Sequence, residues 1–411
     1  MVMNKSESRE LIIGLDVGTF QTRVLVGEVL LDGNINVLGL GKQASTGLEK
    51  GGVIHVEAVS KAVMQAIGQA ELIADCQIAS VFLNISGRHI GYQNEKGMTP
   101  ILGEEVTQND IERVIEHACV SRFTEHRKVL HTLPEEYILD TQERILNPMG
   151  MSGMRLEAKV HMVTCADDMA KNLLKSVERC DLMVEDLVFS GVAAAEAVLT
   201  DDDRHIGVCL LDIGAGTTDM VVYTDGCLRH SHVLPIGGSQ VTNDIAKVFK
   251  LSWRQAEDIK YKYAQLTTVN IDHEAVIEIP MIGGSGTIQV SQLKLVQVIQ
   301  SRYEEIFELV YAVLEREGYH NKVASFVLTG GAVWGEEVSN MAADILKTSV
   351  RIGSPAKIGS AHSASRFQSA VGVGLLHFGM RKQAKQKLDV IPKEGFINWL
   401  FKAKSWLKGE F

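Results

Sequence analysis

Apolar segments divided by short turns open the chain and predict a β-meander. Strands are expected at residues 11–17, 22–29 and 35–40, because runs of apolar and β-branched residues stop there at clusters of Gly, Asp and Asn. Residues 56–73 carry apolar side chains at the spacing of one helix face, and a further strand is predicted at 80–85.

The pattern changes between residues 84 and 165. A helix is predicted to begin at Thr107, which forms a variant of the capping box with Asp110 in place of the usual Glu. Strands are predicted at 131–139 and 158–165. We interpret this stretch as a small inserted α+β unit.

Helices and strands alternate in the remainder. Helices are expected at 168–180, 191–199, 240–249, 253–263 (with Ser252 as its cap) and 370–378, and strands at 184–189, 207–211, 220–224 and 323–328. Residues 267–290 are Gly-rich and β-like. The long helix that follows has an expected buried side of Leu295, Val298, Ile299, Ile306, Leu309, Val310 and Val313. Residues 381–393 are predicted to form a basic linker. Strands with crossover helices in two similar halves predict α/β domains around mostly parallel sheets.

Composition limits the class of protein. A chain of 411 residues with 45% hydrophobic content should form two or more domains. The net charge of −10 argues against a general nucleic-acid binder. No run approaches the roughly 18 apolar residues of a membrane span, and the charged N-terminus does not resemble a signal peptide. The six cysteines include no CxxC pair and are expected to be reduced core residues of a cytosolic protein.

The stretch from Leu211 to Asp219 is the strongest chemical motif. An apolar run ends there in Asp212, followed by Gly214 and Gly216, which let backbone N–H groups approach an anion, and by Thr217 and Thr218, which add hydroxyl donors. Asp212 is placed to hold water on a metal ion that is bound to phosphates. No Walker loop, HExxH or GxSxG motif accompanies it.

The same pattern of residues occurs near the start of the chain. Residues 11–15 are apolar and lead into Asp16, Gly18 and Thr19. Two copies of a strand, acid, glycine and threonine pattern predict two related halves that close on one phosphate group.

These motifs, with Thr329, Gly330, Gly331 and Ala332, resemble the actin-like ATPase superfamily. The resemblance implies an actin-like two-domain fold around a nucleotide cleft, with ATP and Mg²⁺ as cofactors. Asp16 and Asp212 would hold the metal ion through water. Gly330, Gly331 and Ala332 would form the adenosine loop.

Within the superfamily the chain is similar to the FtsA family of bacterial division proteins. The likeness rests on residues 84–165, 159–161, 256–260, 350–353 and the C-terminal tail. It implies that Glu257 and Lys260 contact the ribose or adenine, and we include Gly237 and Gly238 in the cofactor-binding set.

The resemblance also implies a division of the chain. The expected parts are subdomain 1A (1–83, 166–204 and 356–380), inserted subdomain 1C (84–165), subdomain 2A (205–232 and 303–355), subdomain 2B (233–302), a linker (381–393) and an amphipathic helix (394–411).

The C-terminal stretch has a narrow apolar stripe. At 100° per residue, an arc of roughly 120° contains Phe396, Trp399, Leu400, Ala403, Trp406 and Leu407. Lys402 and Lys404 flank the stripe, and Lys408 lies behind it. Two tryptophans and flanking lysines favour a helix that lies in the membrane surface over one docked on the core.

The expected function follows from the family. The chain would bind ATP, polymerise at the cytoplasmic face of the inner membrane and tether FtsZ, the tubulin-like ring protein. The implied partners are the FtsZ C-terminal peptide on 233–302, the FtsN cytoplasmic segment on 84–165, further copies of the chain and anionic lipid, but no nucleic acid. Ser190 stands where the actin relative MreB has Glu, so hydrolysis is expected to be slow at most. The alternatives are a pilus-assembly protein of the PilM type and a sugar-kinase-like phosphotransferase. The second is an alternative because Asp16 to Thr19, followed by Arg23, also fits the first loop of sugar kinases.

Overall fold

The computed structural model describes residues 10–120, 126–268, 271–272, 274–281, 286–356 and 367–390. The predicted amphipathic helix at 394–411, with Phe396, Trp399, Leu400, Lys402, Lys404, Trp406 and Leu407, lies outside these ranges.

Strands and helices alternate along the described chain. The strands are β1 (Leu11–Val17), β2 (Gln21–Val29), β3 (Ile35–Ala44), β4 (Leu48–Glu49), β5 (Gly52–Val53), β6 (Ser80–Ile85), β7 (Gly91–Pro100), β8 (Arg127–Leu139), β9 (Gln142–Ile145), β10 (Arg155–Ala166), β11 (Met183–Phe189), β12 (Val208–Ile213), β13 (Thr218–Thr224), β14 (Cys227–Leu234), β15 (Val276–Pro280), β16 (Thr287–Ser291), β17 (Ser325–Thr329) and β18 (Ser349–Ile352). The helices are α1 (Val56–Ala74), α2 (Gln108–Val120), α3 (Asp167–Glu178), α4 (Ser190–Val198), α5 (Asp201–Ile206), α6 (Gly238–Phe249), α7 (Trp253–Tyr263), α8 (Gln292–Arg316), α9 (Glu336–Leu346) and α10 (Ala370–Val390).

Two sheets of the same topology form the centres of two lobes. Lobe 1 has the strand order β11-β6-β1-β2-β3, and lobe 2 has the order β18-β17-β12-β13-β14. In each sheet an antiparallel meander of three strands continues into two parallel strands. The predicted two related halves are therefore present.

The prediction of mostly parallel sheets is wrong. Each five-stranded sheet has as many antiparallel as parallel neighbours. The reason is the short turns after β1, β2, β12 and β13, which have no room for a crossover helix and so force hairpins.

Helices cover both faces of the lobe 1 sheet. On one face α1 packs on β2 and β3, and on the other α10 packs on β1 together with α4. Helix α4 also contacts β12 and β13, so it lies between the two sheets. This helix consists almost entirely of buried small and β-branched residues, which allows the two lobes to approach closely.

The inserted unit predicted at 84–165 has its own sheet and core. Its antiparallel sheet has the order β7-β10-β8-β9, and α2 packs on β7 and β10. Thr107 and Asp110 form the expected reciprocal cap, since the Thr107 N–H donates to Asp110 Oδ2 at 2.9 Å and the Asp110 N–H donates to Thr107 Oγ1 at 3.4 Å.

The helices predicted in lobe 2 are present and match the predicted burial with one exception, whereas α9 was not predicted. Ser252 caps α7, accepting from the Gln255 N–H. The expected buried side of α8 is confirmed at Leu295, Ile299, Ile306, Val310 and Val313, and Val298 is partly buried. Leu309 is 39% exposed, because the buried stripe shifts toward the aromatic side chains of Tyr303 and Phe307.

The C-terminal helix is longer than predicted. Helix α10 includes the expected segment 370–378 and continues to Val390, so residues 381–390 of the predicted linker are helical. Arg, Lys, Gln, Ala and Leu favour helix, and the first Pro after them is Pro392.

Two expectations about chemistry can be compared with the structure. All six cysteines are free thiols, with Cys165 and Cys209 buried and the others half-buried. Among the described helices, none has both the length and the apolar character required to cross a membrane.

Candidate functional site

The first predicted phosphate loop is a tight hairpin between β1 and β2. The Gly18 N–H donates to the Gln21 carbonyl at 3.2 Å. Thr19 Oγ1 accepts a hydrogen bond from the Gly51 N–H at 3.2 Å, which joins the loop to the short β4–β5 hairpin. Asp16 lies at the end of β1 and is 7% exposed.

The second loop repeats this geometry between β12 and β13. The Gly214 N–H donates to the Thr217 carbonyl at 2.9 Å. Thr218 Oγ1 donates to the Ile236 carbonyl at 2.9 Å, which anchors the chain that leads to α6. Asp212 is buried at the end of β12.

The two loops face each other across the cleft between the lobes. A Cβ atom at Gly216 would lie 2.6 Å from Thr19 Oγ1 and 3.0 Å from the Lys50 Cα. These approaches are too close for any side chain, so glycine is needed at Gly216 for the loops to meet.

Three buried acids lie at the floor of this cleft. Burial raises the pKa of Asp16 to about 6. Burial and the nearby Asp16 carboxylate raise the pKa of Asp212 to about 7. Asp219 lies opposite Asp212 in the β12–β13 ladder, and burial followed by the Asp212 charge raises its pKa well above the usual value. A bound cation would relieve this repulsion.

Sequence reasoning did not include Asp219 among the site residues. Its place could have been inferred from strand pairing, because a hairpin brings the residue seven positions after Asp212 back beside it. Ser86, also missed, donates to the Asp219 carboxylate and lies 3.3 Å from Thr217 Oγ1.

Within the described residues, no group of three His, Cys, Asp or Glu side chains could hold a metal ion by itself.

Glu257 and Lys260 belong to a polar network at the other end of the cleft. They lie on one face of α7, with Lys260 Nζ 2.7 Å from Glu257 Oε2. Lys260 also donates to Thr242 Oγ1 at 2.7 Å and to the Gly238 carbonyl at 3.1 Å, and Thr242 donates to Glu257. Burial lowers the pKa of Lys260 despite Glu257.

The remaining predicted glycines join this network to the phosphate loops. The Gly238 N–H donates to the Gly214 carbonyl and the Ala332 N–H donates to the Ile213 carbonyl, each at 2.9 Å. A Cβ at Gly237 would collide with the carbonyls of Gly214 and Ala215.

Gly330 and Gly331 differ in their surroundings. Gly330 has φ of +100°, and a Cβ there would collide with Asp212. A Cβ at Gly331 would meet no protein atom within 4 Å. Gly330 is therefore required by the fold, whereas Gly331 borders open space. The structure thus brings all the predicted cofactor-binding residues to one cleft.

Comparison with known proteins identifies the family. The model of the cell division protein FtsA family matches residues 209–373, and that of the SHS2 domain inserted in FtsA matches 87–164. The chain is 43% identical to cell division protein FtsA of Escherichia coli (strain K12) over 420 residues, which cover 100% of both chains. It is 39% identical to FtsA of Pseudomonas aeruginosa over 417 residues, again with 100% of both chains covered.

The chain belongs to the FtsA family.

The FtsA assignment confirms the predicted resemblance and a role in cell division. It also decides against the two alternatives, a PilM-type pilus protein and a sugar-kinase-like phosphotransferase.

Solved structures confirm the actin-like fold. The PilM–PilN type IV pilus biogenesis complex matches with a TM-score of 0.65 and 16% identity, covering 90% of this chain and 99% of that one. MreB5 of Spiroplasma citri bound to ADP matches with a TM-score of 0.55 and 15% identity, covering 94% and 100%.

In this FtsA-family chain the inserted domain also contacts lobe 2. His161 Nδ1 donates to Asn94 Oδ1 at 2.6 Å, and its Nε2 accepts from Ser231 Oγ of β14 at 2.9 Å. The Tyr92 hydroxyl donates to Glu317 Oε2 at 2.7 Å. We call these five residues the His161 seam. None of the five is among the candidate site residues of the sequence analysis, because the histidines of the sequence show no spacing typical of metal ligands.

Proposed function

We propose that the chain binds ATP with Mg²⁺ in the cleft, polymerises at the cytoplasmic face of the cell inner membrane and tethers the FtsZ ring to it at the division site. The role in cell division follows from membership of the FtsA family. The observation that carries the nucleotide proposal is the meeting of both phosphate loops, the Glu257–Lys260 network and the open face of Gly331 at one cleft.

The residues present fit a nucleotide. Backbone N–H groups of two glycine turns and the hydroxyls of Thr19 and Thr217 would donate to phosphate oxygens. Lys260, whose ammonium group contacts Glu257, Thr242 and the Gly238 carbonyl, would line the adenosine end of the cleft together with Glu257. Gly331 would allow the adenosine to lie flat against the backbone.

The acids fit a hydrated divalent cation. Mg²⁺ usually keeps several waters and is held by one or two carboxylates plus substrate phosphates. Asp16 and Asp212 would accept hydrogen bonds from those waters, and the cation would supply charge neutralisation of the phosphates. Burial raises the pKa of both carboxyl groups, and a bound cation would favour their ionised forms.

Hydrolysis is proposed to be slow. Ser190 has no carboxylate to position an attacking water, and its hydroxyl donates to the Ile85 carbonyl at 3.3 Å. The nearby Asp219 carboxylate is engaged by Ser86. Nucleotide turnover would then act as a switch. Steady-state phosphate release near the enzyme median of about 10 per second, without a partner, would contradict this.

The membrane contact is proposed for residues 396–407. Six apolar side chains at about 1.5–3 kcal/mol each set an upper limit on insertion, which partial burial and helix ordering reduce. A single tail should bind reversibly. Filaments would place many tails on one surface and raise their effective concentration.

Two surfaces are proposed for protein partners. Residues 233–302 would receive the FtsZ C-terminal peptide, and residues 84–165 would mediate self-assembly and bind the FtsN cytoplasmic segment. Family resemblance supports both assignments. Exposed apolar side chains occur on each, including Tyr261 at 88% exposure and Met154 at 81%.

The proposal is tested by sedimentation with anionic vesicles. Full-length protein with ATP and Mg²⁺ should carry FtsZ into the vesicle pellet, and FtsZ lacking its C-terminal peptide should stay in the supernatant. Equal pelleting of both FtsZ forms, or no pelleting of the chain itself, would contradict the tether.

A further inference from the structure

Asn84 is buried beside the first acid of the cleft. Strands β1 and β6 are parallel neighbours, with Gly14 level with Phe82 and Leu15 level with Leu83. The next pair in this register is Asp16 and Asn84, so the ladder itself places an amide beside the carboxylate. Asn84 is 4% exposed.

Hydrogen bonds fix the orientation of the Asn84 amide. The Val17 N–H donates to Asn84 Oδ1 at 2.7 Å, which requires the Nδ2 group to face the other way. Asn84 Nδ2 donates to Asp16 Oδ1 at 2.9 Å and to Ser190 Oγ at 3.1 Å. The Ser190 hydroxyl in turn donates a hydrogen bond to the Ile85 carbonyl.

This arrangement gives Ser190 a role that its sequence position did not suggest. Ser190 is 2% exposed, and its Oγ accepts a hydrogen bond from one of the two Nδ2 hydrogens of Asn84. The other Nδ2 hydrogen is therefore directed at Asp16. A donor to one carboxylate oxygen favours the ionised form and leaves the second oxygen to accept from other groups.

We propose that Asn84 is a positioning residue that holds Asp16 in the orientation needed to accept from cation-bound water, with Ser190 as its support. The inference rests on the proposed nucleotide site and adds what sets its Mg²⁺ affinity. Asn84 acts on the cation through Asp16. It should therefore affect Mg²⁺ binding more than nucleotide binding.

The test is a Mg²⁺ titration of full-length protein with fluorescently labelled ATP, together with labelled-ATP affinity in EDTA. Asn84→Leu removes the amide oxygen and nitrogen and keeps four heavy atoms branched at Cγ. It should raise the Mg²⁺ concentration for half-saturation about tenfold, the lower end of the effect of losing a group that orients a metal ligand. Affinity in EDTA should change less than twofold. Ser190→Ala, a smaller change, should raise half-saturation about threefold.

A double-mutant cycle separates positioning from a general structural effect. In an Asp16→Asn background, Asn84→Leu should have no further effect on Mg²⁺ half-saturation. Unchanged half-saturation in Asn84→Leu, or in Ser190→Ala if the first variant does not fold, would overturn the inference. So would full additivity in the cycle. Failure of the parent to bind labelled ATP would overturn the proposed function and this inference with it.

Discussion

Ser86 of lobe 1 donates a hydrogen bond to the Asp219 carboxylate of lobe 2, so the lobes touch at the floor of the cleft. Asp219 in turn faces Asp212 in the β12–β13 ladder. This contact between the lobes is thus made at a point where negative charge is concentrated, and ionisation there should be coupled to stability.

The first prediction concerns the pH dependence of the nucleotide-free protein. Acids whose pKa is raised on folding stabilise the fold fully at low pH, and this stability is lost as pH rises through the folded pKa, about 6 for Asp16 and about 7 for Asp212. Asp219→Asn keeps an acceptor for Ser86 and removes one charge. It should gain stability relative to the parent between pH 5 and 8, by about 1.4 kcal/mol per pKa unit relieved.

Urea unfolding at several pH values measures this difference. Asp202→Asn, at an exposed position of α5, is the matched control and should follow the parent. Parallel pH curves for the parent and Asp219→Asn would show that the acids do not repel one another in the folded protein.

The His161 seam should respond in the opposite direction. Burial lowers the pKa of His161 to about 3. Its contribution to the stability of the fold is therefore complete above the unfolded pKa near 6.5 and is lost as pH falls toward 3. His161→Gln removes the titration and retains hydrogen-bonding groups. The protection factors of the β7, β10 and β14 amides, which correct for the slower intrinsic exchange at lower pH, should decrease between pH 7 and 5 in the parent and change less in the variant.

Exposed His320 provides the control for this seam. His320→Gln should show the parent's acid sensitivity. Identical exchange of β7, β10 and β14 in all three proteins at pH 5 would contradict the role given to His161.

Substitutions at Gly330 and Gly331 should distinguish an effect on folding from an effect on ATP binding. Gly330→Ala puts a Cβ against Asp212 at a positive φ and should lower Tm, with a cost on the order of 1–3 kcal/mol. A Cβ at Gly331 would meet no protein atom within 4 Å, so Gly331→Val should leave Tm nearly unchanged while weakening ATP binding at least tenfold. Normal ATP affinity in Gly331→Val would mean that the adenosine lies elsewhere.

The tail prediction concerns residues 396–407. Trp399→Glu with Trp406→Glu should keep ATP binding and release the protein from anionic vesicles. Leu31→Glu with Leu72→Glu adds the same charge at fully exposed positions of lobe 1 and should pellet as the parent does. Undiminished pelleting of the tryptophan variant would favour a helix docked on the core.

Local patterns predicted the fold where they were strong. The strand bounds 11–17 and 80–85 and the helix 253–263 agree with the structure because apolar periodicity and the Ser252 cap coincide. Strand β7 was missed because its sequence, GYQNEKGMTP, is largely polar and is held by pairing with β10. Strand β14 was missed for the same reason, since LRHSH becomes buried only against β13 and the inserted domain.

The structure brings together the candidate motifs that are contiguous in sequence, and their binding role stays a prediction. The two predicted phosphate loops and the predicted adenosine loop were recognisable because glycine and threonine cluster within a few residues. Asn84 and Ser86 end an ordinary apolar strand, and their importance depends on the register of β6 with β1 and on the approach of lobe 2. Such contacts between distant segments leave no local pattern.

The most direct test of the central claim, that ATP lies between the two phosphate loops, is the binding of labelled ATP to Gly216→Asp. The new side chain would face Thr19 and Lys50 and place a negative charge against the phosphates, so affinity should fall by about 100-fold or more, about 2.7 kcal/mol. Gly68→Asp, at an exposed position of α1 where a Cβ meets no protein atom, should bind as the parent does. Parent-like affinity in folded Gly216→Asp would contradict the account.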